Sequence, residues 1–139
     1  MSTAFPSRPA APATPKLQVW AAWTLTALFV LFMIFDIVIK LLRLEVVAKA
    51  LAELGYPDDL GFMIGALETI LLALYLIPRT SALGAVLFTG LFGGAIASHL
   101  RIGSPIFTHD LFGVYLGLFA WGGLWLRDEK LRAVFPFRR

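Results

Sequence analysis

Seven residues of this chain are of types that do chemistry in an apolar setting: Asp36, Lys40, Glu68, His99, Arg101, His109 and Asp110. Asp36 and Lys40 are four apart, so a helix places them on one face within pairing reach. Glu68 interrupts an otherwise uncharged run from Leu60 to Ile77. At a rise of ~1.5 Å per residue it stands about 12 Å inside that run. An ionisable side chain that deep in a bilayer costs roughly 2.5–3.5 kcal/mol and is expected to face a partner or a wet cavity. Lys40, Arg101, His99 and His109 are its candidate cations. Three chemistries fit these types. One is a structural ion-pair network. A second is a ligand or proton site in which Glu68 and a histidine exchange protons near neutral pH. A third is metal ligation by His99, His109, Glu68 and Asp110. Their spacing matches no local metal motif, so no metal is assigned, and two histidines near one end do not suit a bis-histidine haem. There is no cysteine, which excludes dithiol redox chemistry by this chain alone and any thiolate metal site. Nucleophilic catalysis has no support beyond isolated serines, and no catalytic residue is assigned.

The elements that must position these residues are apolar. Of 139 residues, 59% are hydrophobic and 15% charged, with mean hydropathy +0.81. A soluble domain carries about 25% charge, so the excess apolar surface is expected in lipid. The net charge is +3. The basic residues sit between and beyond the apolar runs instead of in one patch, which argues against nucleic acid as a partner.

Residues 1–16, with Pro6, Pro9, Pro12 and Pro15, read as a mobile cytoplasmic spacer. Leu17 to Phe35 is uncharged over 19 residues, near the ~20 that a helix needs to cross a bilayer. It is too long for a signal h-region and no small-x-small site follows. Trp20 and Trp23 suit the interface. The helix is expected to run on through Asp36, Lys40 and Arg43 with all three on one face. They either line a polar pocket or simply pair and snorkel to the interface.

Residues 44–54 read as a short helix lying in the interface, with Val47 and Leu51 on its apolar side. Gly55 suits a left-handed helix end and Pro57 prevents continuation. Asp58 or Asp59, Ser81 and Thr108 are the expected N-caps of the second, third and fourth spans. The third run, Ala82 to Leu100, carries Gly90, Gly94 and Ser98, a stripe that admits a neighbouring backbone. The fourth, Leu111 to Leu126, carries Gly113 and Gly117, and residues 127–139 read as a basic cytoplasmic tail. Irregular backbone cannot face lipid, so the expected fold is all-α: an integral membrane, antiparallel four-helix bundle over residues 17–126, with the short interfacial helix between the first and second spans.

Alternating crossings put eight basic residues on the side of both termini and four (Lys40, Arg43, Lys49 and Arg101) on the other. The positive-inside tendency then places both termini in the cytoplasm of a multi-pass inner-membrane protein. All seven chemistry-bearing residues fall toward the opposite leaflet.

Lys40-Leu41, Gly55-Tyr56-Pro57, Gly65-x-x-Glu68, Pro78-Arg79-Thr80 and His99-Leu100-Arg101, in this order and spacing, resemble the DoxX-like family over roughly residues 20–126. The resemblance implies a small bacterial four-helix membrane protein. It is similar to the small membrane subunit of thiosulfate:quinone oxidoreductase and, more remotely, to membrane partners of redox enzymes. It implies an accessory or small-ligand-binding component with a quinone link and a soluble oxidoreductase as partner. Where the family often has Ser-Gly shortly before the lysine, this chain has Asp36-Ile37, which adds a second carboxylate beside Lys40. Two other classes stay open: a proton-coupled or small-solute carrier, and a purely structural or assembly protein. The glycine stripes serve either internal packing or a homo-oligomer.

Overall fold

The structure, a computed structural model, describes residues 15–138 apart from the side chains of His109 and Asp110. Residues 1–14, most of the stretch expected to be a mobile spacer, lie outside the described residues, as does Arg139. The described residues are all-helical, with no strand. Helix α1 is Lys16–Leu41, α2 Glu45–Glu53, α3 Leu60–Leu76, α4 Ser81–Arg101, α5 Leu111–Arg127 and α6 Glu129–Val134; one π-helical turn, Ile106–Asp110, leads into α5. Helices α1 and α4, of 26 and 21 residues, are long and apolar enough to cross a membrane, and α3 is a shorter apolar helix.

Helix ends follow backbone chemistry more than the expected caps. After α2, Gly55 takes φ +81°. Tyr56 N–H then reaches Leu51 O at 2.9 Å and Gly55 N–H reaches Ala52 O at 3.0 Å, closing the helix by the paired bonds of a Schellman end. The end of α1 is built the same way: Leu44 N–H donates to Ile39 O and Arg43 N–H to Lys40 O, both at 3.1 Å. Here the left-handed residue is Arg43, φ 55°. Arg43 therefore leaves the helix instead of sharing the face of Asp36 and Lys40, and its guanidinium lies over the Phe62 ring at 4.7 Å.

The expected N-caps do not form. Asp59 precedes α3 without a side-chain cap bond. Thr80, not Ser81, precedes α4, and Thr108 lies inside the π-helical turn. The tight turn at Pro78 explains the hydroxyls: Ser81 donates to Tyr75 O at 2.7 Å and to Ile77 O at 2.9 Å. It satisfies the orphan carbonyls of the helix that ends instead of the amides of the one that begins.

Helix α1 packs against α3 and α5, and α4 packs against the same two, so the four long helices close a ring. At its centre Phe29 is fully buried and meets Tyr75, Phe88 and Phe92 edge-on, with centroids 5.0, 5.2 and 6.3 Å away. At one end, Gln18 donates to Leu126 O at 2.9 Å and the Tyr75 hydroxyl to Ala120 O at 2.6 Å. These bonds join the start of α1 and the end of α3 each to α5. Outward, large side chains such as Leu31, Phe35, Ile70, Val86 and Leu118 are exposed, a surface unsuited to water in a monomer.

Residues expected only as a basic tail fold back. Asp128 accepts from the backbone amides of Lys130 and Leu131 and caps α6. Arg132 donates to Trp125 O and Leu126 O at 2.9 and 2.6 Å, and Phe135 stacks on Trp121 at 5.1 Å.

Glycines separate two uses. A Cβ on Gly84 would lie 2.5 Å from Tyr75 N, a backbone atom that cannot swing aside. Gly84→Ala is therefore expected to cost about 1–3 kcal/mol. A Cβ on Gly90 meets nothing within 4 Å, so Gly90→Ala is expected to be neutral or to stabilise by up to ~1 kcal/mol through helix propensity. Parallel unfolding titrations of the two variants check the difference in sign.

Candidate functional site

The site is built from α1 and α3. Asp36 and Lys40 stand one turn apart on α1. Lys40 Nζ donates to Asp36 Oδ2 at 2.5 Å and, across to α3, to Glu68 Oε1 at 2.6 Å. Glycine at position 65, one turn before Glu68, makes this crossing close: a Cβ there would sit 2.9 Å from Lys40 Cβ. The Gly65-x-x-Glu68 spacing thus has a physical reason, since the small residue sets the helix separation at which the lysine reaches the acid. Glu68 is 3% exposed, and its second oxygen, Oε2, is buried without a hydrogen-bond partner.

Beside this triad lies a cavity of about 640 Å³, walled by α1 to α5. Asp36, Lys40 and Glu68 supply polar groups, while Phe32, Phe92 and Phe112 supply aromatic wall. Gly90 and Gly94 also line it, and neither would bring a Cβ within 4 Å of another atom. Within the chain no neighbouring backbone approaches Gly90 or Gly94, and their missing side chains leave open volume. Gly113 of the other pair does pack, with a Cβ position 3.1 Å from Ile96 Cγ1, whereas that of Gly117 meets nothing. Helix α2 does more than lie at a surface. It buries Val47 and Leu51 against Gly61, whose Cβ position is 2.8 Å from Val47 Cγ1, and it forms one wall of the cavity. A smaller hollow of about 320 Å³ lies on the other side of α2, lined by Lys40, Arg43, Asp58 and Asp59 among others, so Lys40 borders both spaces.

Of the seven residues, the structure brings Asp36, Lys40 and Glu68 into direct contact and puts His99 on the same cavity. His99 Nδ1 is 3.1 Å from Ser104 Oγ. Arg101 is not beside Glu68. It is exposed and donates to Leu54 O, bracing the end of α2, because its place in the last turn of α4 directs it to the loop carbonyls. His109 and Asp110 belong to the π-helical turn; their side chains lie outside the described residues. Among the described residues, no three His, Cys, Asp or Glu side chains gather as a metal site. Tyr56 and Ser98, 2.8 Å apart and both on the cavity, were not singled out by residue type. The signal was the placement of Tyr56 in Gly55-Tyr56-Pro57, directly after a left-handed glycine that turns the chain back over the helix ends.

The chain matches the DoxX-like family over residues 24–123. No curated protein and no solved structure matches it.

Proposed function

The chain belongs to the DoxX-like family, and from that premise we propose that it is an accessory membrane component that holds a small amphiphile in the cavity beside Glu68. The observation that carries this reading is the coincidence of an apolar, aromatic-walled space of about 640 Å³ with a buried carboxylate oxygen lacking a partner. Ligand sites have this composition: apolar walls with a few placed polar groups. The apolar body of the ligand would lie on Phe32, Phe92 and Phe112, with its polar head at Glu68. A quinone is one molecule of this shape, and the family resemblance is what suggests it and a soluble oxidoreductase partner.

The membrane setting belongs to the same proposal. The four long helices form an antiparallel bundle in the inner membrane of a bacterium, with both termini cytoplasmic. The outward-facing Leu, Ile, Val and Phe side chains, the lengths of α1 and α4 and the eight-to-four distribution of basic residues support it. Helix α3 is short at 17 residues, and α5 gains length from the π-helical turn before it. The absence of cysteine makes single introduced cysteines clean topology reporters.

The test fills the cavity. Gly94→Leu adds a side chain where a Cβ meets nothing within 4 Å. In phosphatidylcholine nanodiscs, wild type is expected to bind the neutral dye Nile red saturably and Gly94→Leu to lose that binding, with the melting temperature retained. Dye binding that Gly94→Leu leaves unchanged overturns the reading. Displacement of the dye by a decylbenzoquinone is the expected result if the quinone link holds.

A further inference from the structure

The formal charges of the Asp36–Lys40–Glu68 triad do not balance. One ammonium, Lys40, lies between two carboxylates, Asp36 and Glu68, so the triad carries formally one negative charge in excess. Two other cations are engaged elsewhere: Arg43 lies over Phe62 and Arg101 on Leu54 O. Glu68 lines the cavity. Its Oε1 takes the lysine, while the buried Oε2 has no hydrogen-bond partner. An oxygen of this kind can only accept when ionised, so a ligand head that satisfies it must donate. The walls add a second preference, because Phe32, Phe92 and Phe112 line the cavity and aromatic rings attract cations in a desolvated site. A neutral acceptor such as a quinone carbonyl satisfies neither feature, so the head group inferred here competes with the quinone suggested above, and a carboxylate is repelled by both.

We propose that the cavity takes a small lipophilic amine, bound as its ammonium, which donates to Glu68 Oε2 while its apolar body lies on the aromatic wall. This deepens the ligand-binding reading above and rests on it. The ammonium replaces the partner that Oε2 lacks and brings the triad to neutrality. Both effects are strongest in a low-dielectric site, where an unpaired polar group is most costly. Asp36 is what makes the count uneven: one ammonium serves two carboxylates, and Glu68, the buried one, borders the cavity.

The test uses three probes with one body and different heads: phenylbutylamine, phenylbutanol and phenylbutanoic acid. Each displaces Nile red from the full-length protein in phosphatidylcholine nanodiscs at neutral pH, with empty discs subtracted. A charge-assisted hydrogen bond to a buried carboxylate predicts that the amine displaces the dye at roughly 10-fold lower concentration than the alcohol, or less, with the acid weakest. Glu68→Gln keeps the shape of the side chain and leaves Lys40 its bond to Asp36. It is expected to level amine and alcohol, with each displacement referred to the dye affinity that Glu68→Gln itself shows. Asp36→Asn, which lowers the excess charge without touching Oε2, is expected to weaken the amine less than Glu68→Gln does. An alcohol or acid that binds as tightly as the amine overturns the amine assignment and leaves the cavity reading standing, as does an amine preference unchanged in Glu68→Gln. Dye binding indifferent to Gly94→Leu overturns both.

Discussion

Lys40→Met is expected to destabilise the protein by about 3–5 kcal/mol, the usual cost of removing one partner from a buried ion pair. The loss exceeds that of two hydrogen bonds because the substitution leaves Asp36 and Glu68 facing each other across the α1–α3 contact. Glu68 is 3% exposed, and its buried Oε2 has no hydrogen-bond partner. The double variant Lys40→Met/Glu68→Gln removes the stranded charge along with its cation and is expected to recover a large part of the loss. Reversible unfolding of the three proteins in mixed micelles measures this. A double variant as unstable as Lys40→Met would mean that the lysine acts through its packing alone.

Phe29→Ala is expected to cost a similar amount, about 3–5 kcal/mol, by a different mechanism. The ring is fully buried and holds α1 to Tyr75 of α3 and to Phe88 and Phe92 of α4 by edge-on contacts. Deleting it opens a void at the centre of the ring of helices, where no neighbour can move in without breaking another aromatic contact. Phe29 and Lys40 are eleven residues apart on one helix, about 16 Å at ~1.5 Å per residue. Their effects are expected to add within ~0.5 kcal/mol. Unfolding of the Phe29→Ala/Lys40→Met double variant checks this, and a strong departure from additivity would indicate that core and triad form one cooperative unit.

Much of this arrangement was legible in residue type and spacing. A helix with Asp36 and Lys40 one turn apart, an acid deep in an apolar run, a glycine one turn before it and a left-handed glycine at position 55 are local patterns. Local backbone geometry fixes their consequences. The direction of Arg101 was not legible, because whether a side chain in a last helical turn turns inward or braces a loop depends on where α2 ends. The exit of Arg43 from α1 was hidden because a non-glycine residue takes the left-handed position, which spacing arguments assign to glycine. The use of Gly90 and Gly94 was not legible either. Small residues every four positions permit a close approach but do not compel one, and within this chain both glycines line the cavity. The return of the chain end through α6 rests on the Asp128 cap and on the Arg132 and Phe135 contacts with α5, which hydropathy alone does not register.

The central claim is that Glu68 is held by Lys40 from the neighbouring helix within the membrane, at the wall of a ligand cavity. Solid-state NMR of the protein in lipid bilayers, with labelled lysine nitrogen and glutamate carboxyl carbon, reports on that contact directly. The account predicts dipolar coupling between Lys40 Nζ and the Glu68 carboxyl carbon at a separation matching the 2.6 Å nitrogen–oxygen contact, and a shift of the Glu68 carboxyl resonance when phenylbutylamine is added. A Glu68 carboxyl uncoupled from Lys40 and in contact with lipid acyl chains would contradict it.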